Sequence, residues 1–155
     1  YMKGRNISVI IAVCCLLVLF AFIGCKTMPQ AGTPYVEAKD QELQNSTVTI
    51  DYVVSVGPGW IVIHNDKNGK PGDVIGYSPV ADGVNSNVAV TINTNKKTDT
   101  LWAMLHTDSG KMGTFEFPKG DPPVKEMGAI VMQSFKITAP AMMKEDDKMM
   151  KSGGM

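Results

Sequence analysis

The chain holds two histidines, His64 and His106, and two tryptophans, Trp60 and Trp102. Each Trp precedes a His by four residues, and an Asp follows each His by two. "WIVIHND" and "WAMLHTD" therefore both read W-x-x-x-H-x-D, and each is followed by G-K-x-G, in "GKPG" and "GKMG". Two imidazoles are the beginning of a metal site. With the thioether of Met104 they would suit copper; with the carboxylates of Asp66 and Asp108 they would suit zinc. The same stretches carry oxygen donors for calcium: Asp66, Asn68 and Asp73 in the first, Asp108 and Glu116 in the second. Neither completes the D-x-[DN]-x-[DN]-G pattern with its distal Glu, and Lys67, Lys70 and Lys111 reduce the local negative charge. A further donor set is the C-terminal "APAMMKEDDKMMKSGGM", where Met142, Met143, Met149 and Met150 flank "KEDDK". Thioethers of this kind would hold Cu(I). For catalysis the sequence offers little. "GYSP" lacks the second glycine of a nucleophile elbow, and there is no Gly-rich phosphate loop before a helix and no obvious carboxylate pair. The expectation is a protein that is not an enzyme.

The elements that must position these groups are strands. In an extended chain Trp60, Val62, His64 and Asp66 share a face, as do Trp102, Met104, His106 and Asp108. The alternate positions, Ile61 with Ile63 and Leu101 with Leu105, are apolar too, which marks central strands covered on both sides. Each His then falls where its strand leaves the core, and each Asp opens a turn in which carboxylate and Gly supply the turn chemistry. This reading makes Trp60, Asp66, Trp102 and Asp108 one structural device used twice, with no cofactor. Copper on His64 and His106, or on the C-terminal methionines, is the alternative. Two strands, near 73–78 and 87–93, lie between the copies. If every connection reverses direction, the copies run antiparallel and the histidines emerge at opposite ends. A strand of five or six residues spans roughly 17–20 Å, too far for two ligands that each sit about 2 Å from one ion. Only a crossover between sheets would reunite them.

Periodicity two runs through the rest of the domain. In "TVTIDYVVSV", Val48, Ile50, Tyr52, Val54 and Val56 fall on one face; "NVAVTIN" groups Val88, Val90 and Ile92; "TFEF" pairs Phe115 with Phe117; "SFKIT" pairs Phe135 with Ile137. Such alternation marks half-buried strands. Turn signals punctuate them at "GPG", "DKNGKPGD", "ADG", "NTNKKTD", "DSGKMG" and "FPKGDPP". No segment carries a helical stripe. The predicted fold is all-β: a single antiparallel sandwich of seven or eight strands, immunoglobulin-like or cupredoxin-like.

The segments "GPGWIVIHNDKNGKPGDVIGYSPV", "LWAMLHTDSGKMGTFEFP" and "DPPV", in that order, resemble a secreted prokaryotic domain of unknown function found in archaeal and bacterial surface proteins and lipoproteins. The likeness covers most of 35–138. It implies an exported β-sandwich and supplies no activity.

The N-terminal region agrees with export. Translation is expected to start at Met2; Lys3 and Arg5 precede an apolar run over 7–23 that suits a signal-peptide core. The run ends in "AFIGC", which resembles the lipobox of prokaryotic lipoproteins, with Phe22 where Leu is usual. The expected organisation is a lipoprotein signal peptide over 1–24, a lipidated Cys25 with a flexible tether over 25–33, the sandwich over 34–138, and a disordered Met-rich tail over 139–155. An uncleaved signal anchor is the competing reading. Cys14, Cys15 and Cys25 are the three cysteines and all lie in this region, so the domain itself has no disulfide or thiolate ligand. Lipobox resemblance implies membrane attachment through the N-terminal lipid. By the same resemblance, Lys26 after the cysteine implies sorting to the outer membrane if the cell is Gram-negative. Of the fifteen Lys and Arg, two lie in the leader, leaving thirteen against fifteen acidic side chains. That balance, with no basic patch, argues against nucleic acid as partner. The expected partner is an unidentified protein or other component of the cell envelope.

Overall fold

The computed structural model describes residues 32–138. The leader, Cys25, the tether as far as residue 31, and the tail with Met142, Met143, Met149 and Met150 lie outside the described residues.

Among the described residues the chain forms ten strands and one 3-10 turn, Thr94–Lys96. The strands are β1 (Tyr35–Glu37), β2 (Gln41–Glu42), β3 (Thr47–Ser55), β4 (Gly59–Asp66), β5 (Pro71–Val80), β6 (Gly83–Thr91), β7 (Thr100–Thr107), β8 (Lys125–Glu126), β9 (Ala129–Ile130) and β10 (Met132–Thr138). Ten exceeds the seven or eight expected because β1, β2, β8 and β9 are only two or three residues long, too short for alternation to reveal. A three-stranded sheet runs β1-β3-β6 and a five-stranded sheet runs β2-β10-β7-β4-β5, with β8-β9 a separate ribbon. Pairing is antiparallel except for the two-residue contact of β2 with β10.

Alternation does what it should in most strands. Val48, Ile50 and Val90 from the smaller sheet meet Ile61, Ile63, Leu101, Leu105 and Phe135 from the larger in one apolar core. Burying an aliphatic side chain of this size is worth about 1.5–3 kcal/mol. Two expectations fail. Val56 lies beyond the end of β3 and is exposed, while Val53 and Val54 are consecutive and both buried. The "TFEF" segment is not a strand at all. Gly113 ahead of it turns the chain with φ at +75°, and Asp121 behind it accepts the Glu116 amide at 2.7 Å, so its backbone bonds go to a loop and not to a ladder.

The β4–β5 hairpin is written locally. Asn68 and Gly69 both have positive φ, and Lys67 and Lys70 exchange backbone hydrogen bonds across them. This is the two-residue Asn-Gly turn whose twist matches that of the flanking strands. Beyond the turn the β4–β5 ladder slips on both sides of His64, a bulge that re-aims side chains on this strand.

Candidate functional site: two histidines beneath an aromatic loop

The two W-x-x-x-H-x-D copies are neighbouring antiparallel strands at the centre of the larger sheet. Trp60 pairs with His106, Val62 with Met104, and His64 with Trp102. A local two-fold axis therefore passes through the Val62–Met104 pair. Ile61, Ile63, Leu101, Ala103 and Leu105 point into the sandwich core. The even-numbered residues lie on the opposite face of the sheet. That face is covered by the long connection from β7 to β10, so both faces of β4 and β7 are occupied, as their apolar alternate positions require.

The cover is held by specific bonds. The Leu105 amide donates to Val131, Val124 donates to Leu105, and Thr107 donates to Pro122. Phe117 stands edge-on to His106 with ring centroids 4.9 Å apart and to His64 at 6.2 Å. Phe115 packs on Trp60 at 5.7 Å and on Tyr77 at 4.3 Å. Asp121 anchors the loop: its buried carboxylate accepts amides from Ser109 at 3.1 Å, Gly110 at 3.3 Å and Glu116 at 2.7 Å. Burial alone would push the Asp121 carboxyl upward. The hydrogen bonds from Glu116, Ser109 and Gly110, with nearby His106, hold it below its usual value. Sequence reasoning missed Asp121 and the two Phe as site components. The only local signal for Asp121 was an Asp in a Gly- and Pro-rich stretch.

The histidines themselves come together, contrary to the strand-parity expectation. The strands are antiparallel, yet the rings lie 5.9 Å apart at an interplanar angle of 21°. Counting residues measures Cα positions along the strands. Both imidazoles sit on one face and lean over the central Val62–Met104 pair, so their tips approach far more closely than their backbones. Both are buried, His64 at 3% exposure and His106 at 0%. His64 Nδ1 lies 2.9 Å from the Gly72 carbonyl, and His106 Nδ1 lies 2.8 Å from the Asp121 carbonyl. A carbonyl only accepts, so each Nδ1 carries the proton and each Nε2 carries a free lone pair. Neither Nε2 has a hydrogen-bond partner, and both are buried. Burial pushes His64 below its usual value, against the upward pull of the Gly72 carbonyl and Asp73. Burial likewise lowers His106; the Asp121 carbonyl opposes this and His64 reinforces it. Both rings are accordingly neutral at pH 7.

The flanking residues show how each copy closes. Trp102 Nε1 donates to Asp66 Oδ1 at 2.9 Å, a diagonal cross-strand contact within reach of a long side chain. Asp66 Oδ2 accepts the Gly69 amide at 3.0 Å. The Gly69 and Trp102 bonds together lower the Asp66 pKa. In the other copy Asp108 Oδ2 accepts the Gly113 amide at 2.7 Å, but Asp108 Oδ1 and Trp60 Nε1 are both buried without partners. The other oxygen donors weighed for calcium do not converge on one point. Asn68 sits in the tight turn, Glu116 Oε2 accepts the Lys111 amide at 2.6 Å, and Asp73 lies 4.0 Å from Lys96. Among the described residues no group of three or more His, Cys, Asp or Glu side chains could hold a metal ion.

Comparison with known proteins shows the family. Residues 34–138 match the model of the family described as a domain of unknown function, DUF7282. The chain belongs to this family. It is also similar to cell surface glycoprotein 2 of Haloarcula hispanica, at 30% identity over 119 residues, 76% of this chain. The likeness covers 13% of that glycoprotein's length. No solved structure matches the chain. The resemblance read from the motifs is thus met in its coarser form: a domain of unknown function that occurs on a surface protein. Among the described residues no helix is long and apolar enough to cross a membrane.

Proposed function

We propose that this protein is a lipid-anchored module of the cell envelope, non-catalytic, whose β-sandwich is held outside the membrane for structural or binding contact with another envelope component. The observation that carries the reading is the chain's similarity to a cell surface glycoprotein, joined to a leader ending in "AFIGC". The polar groups of the repeated motif support it as well. Asp66 and Asp108 each bond a turn amide, and Asp66 also accepts the Trp102 indole, so the motif's carboxylates build rigid turns. A multiply acylated Cys25 would hold the domain firmly, where one chain would bind only marginally.

Mass spectrometry of the N-terminus of the native protein tests the anchor. The expected species begins at Cys25 and carries acyl chains, and Cys25→Ser should release the domain from the membrane fraction. An intact leader, or membrane attachment unchanged by Cys25→Ser, would overturn it. Protease treatment of intact cells tests exposure, with digestion expected at loops such as 93–99.

A further inference from the structure

We infer that His64, His106 and Met104 form a Cu(I)-binding site beneath the Phe117 loop. The inference goes beyond the envelope-module reading and does not depend on the lipid anchor. Three observations carry it. Both Nε2 atoms are buried, unpartnered lone pairs, and a buried acceptor left unmatched is unfavourable. Each opposite nitrogen is clamped by a backbone carbonyl, the arrangement that orients metal-ligating histidine and fixes its tautomer. The spacing also fits. With N–metal distances of about 2.0–2.1 Å, two imidazoles on one ion place their ring centroids roughly 5–6.5 Å apart, and the observed separation is 5.9 Å.

The ligand chemistry selects the ion. Met104 is buried on the same face, in the central pair that the two rings lean across. His64 and Met104 both line a cleft of about 540 Å³, whose wall continues through Phe117, Ile130 and Met132, with Lys70 among its lining residues. Met132 is the cross-strand neighbour of Met104, so a second thioether stands at the entrance. Zinc would need at least one further nitrogen, carboxylate or thiolate ligand and calcium a set of oxygens, and no group of three or more His, Cys, Asp or Glu among the described residues supplies them. Two neutral imidazoles and a neutral thioether are the donor set of a soft monovalent ion. An ion of single charge also loses less solvation in a buried site than a divalent one. Asp121, whose backbone carbonyl clamps His106, has its carboxylate already occupied by three amides.

The test is anaerobic titration of the full chain with Cu(I) against bicinchoninate, with melting temperature as a second readout. Cysteines and tail methionines also take Cu(I), but binding there should not stabilise the sandwich, whereas a ligand of the native site raises the melting temperature. The expected result is sub-micromolar uptake with a rise in melting temperature. His64→Gln and His106→Gln should each lose one equivalent and abolish the rise. Met104→Leu, which conserves volume, should weaken uptake at least tenfold. Should the histidine variants fail to fold, X-ray absorption on the natural chain decides, since imidazole scattering from two nitrogens is expected. Sulfur-only coordination, the absence of any rise in melting temperature, or a rise unchanged in the variants overturns the proposal.

Discussion

The two copies of W-x-x-x-H-x-D share one sheet face and one local symmetry axis, yet they close differently. In the copy ending at Asp66, a two-residue hairpin follows, and the carboxylate bonds the first glycine of its G-K-x-G and the indole of the opposite strand. In the copy ending at Asp108, a long loop follows, and the carboxylate reaches the second glycine while one oxygen stays unpaired. Trp60 is correspondingly wrapped by Tyr77 and Phe115, whereas Trp102 is only half-buried and uses its N–H. One motif thus supports two roles. The hairpin copy is finished by hydrogen bonding within the sheet, and the loop copy by packing of a segment that the motif does not contain. Asymmetry at the turns coexists with symmetry at the histidines, where each ring is clamped by a carbonyl from a different element.

The largest difference should appear on truncating the tryptophans. Trp60→Ala removes a buried ring from an aromatic cluster and is expected to cost about 3–5 kcal/mol. Trp102→Ala, at a half-buried position, should cost clearly less in the same denaturant titration. Equal losses would mean that the Phe115 loop contributes nothing to holding Trp60.

A smaller effect should appear with pH, and here the copies should behave alike. Both histidines have folded pKa values below their ordinary one, so the unfolded chain binds protons first as pH falls. Their stabilising contribution is complete above about pH 6.5 and is lost below it, with a slope of up to about 1.4 kcal/mol per pH unit for each ring. Asp66 and Asp121 are shifted downward, so their contribution is present above about pH 4 and is lost below it. Stability measured between pH 7 and pH 5 should fall, and either His64→Gln or His106→Gln should halve that dependence. A profile flat through this range would show that the rings are not held neutral.

The smallest effect is the most specific. A double-mutant cycle on Trp102→Phe and Asp66→Ala should give a measurable favourable coupling, because each change removes one partner of the indole–carboxylate hydrogen bond. The equivalent cycle on Trp60→Phe and Asp108→Ala should give a coupling near zero, since neither Trp60 Nε1 nor Asp108 Oδ1 has a partner. Equal couplings would show that the second copy also closes through its indole.

Much of this molecule could be read from residue order. The strands over 47–55, 59–66 and 100–107, the Asn68-Gly69 turn and the sandwich class follow from alternation and turn chemistry, which act over a few neighbours and need no partner. The double-sided burial of β4 and β7 was legible too, in Ile61, Ile63, Leu101 and Leu105 beside Trp60 and His106. The meeting of His64 and His106 was not. Trp and His in each copy are four residues apart, roughly 13 Å at about 3.3 Å per residue, and strand counting turns that into separation at opposite ends. Only the assembled sheet decides that side chains from both ends lean over the same central pair. The course of the 108–131 loop escaped for a related reason. "TFEF" has the alternation of a strand, but Gly113 and the three amides gathered by Asp121 bend it into a cover. Local pattern specifies which way a side chain alternates. What lies above it is set by contacts between residues far apart in the chain, and those are made only when the whole domain closes.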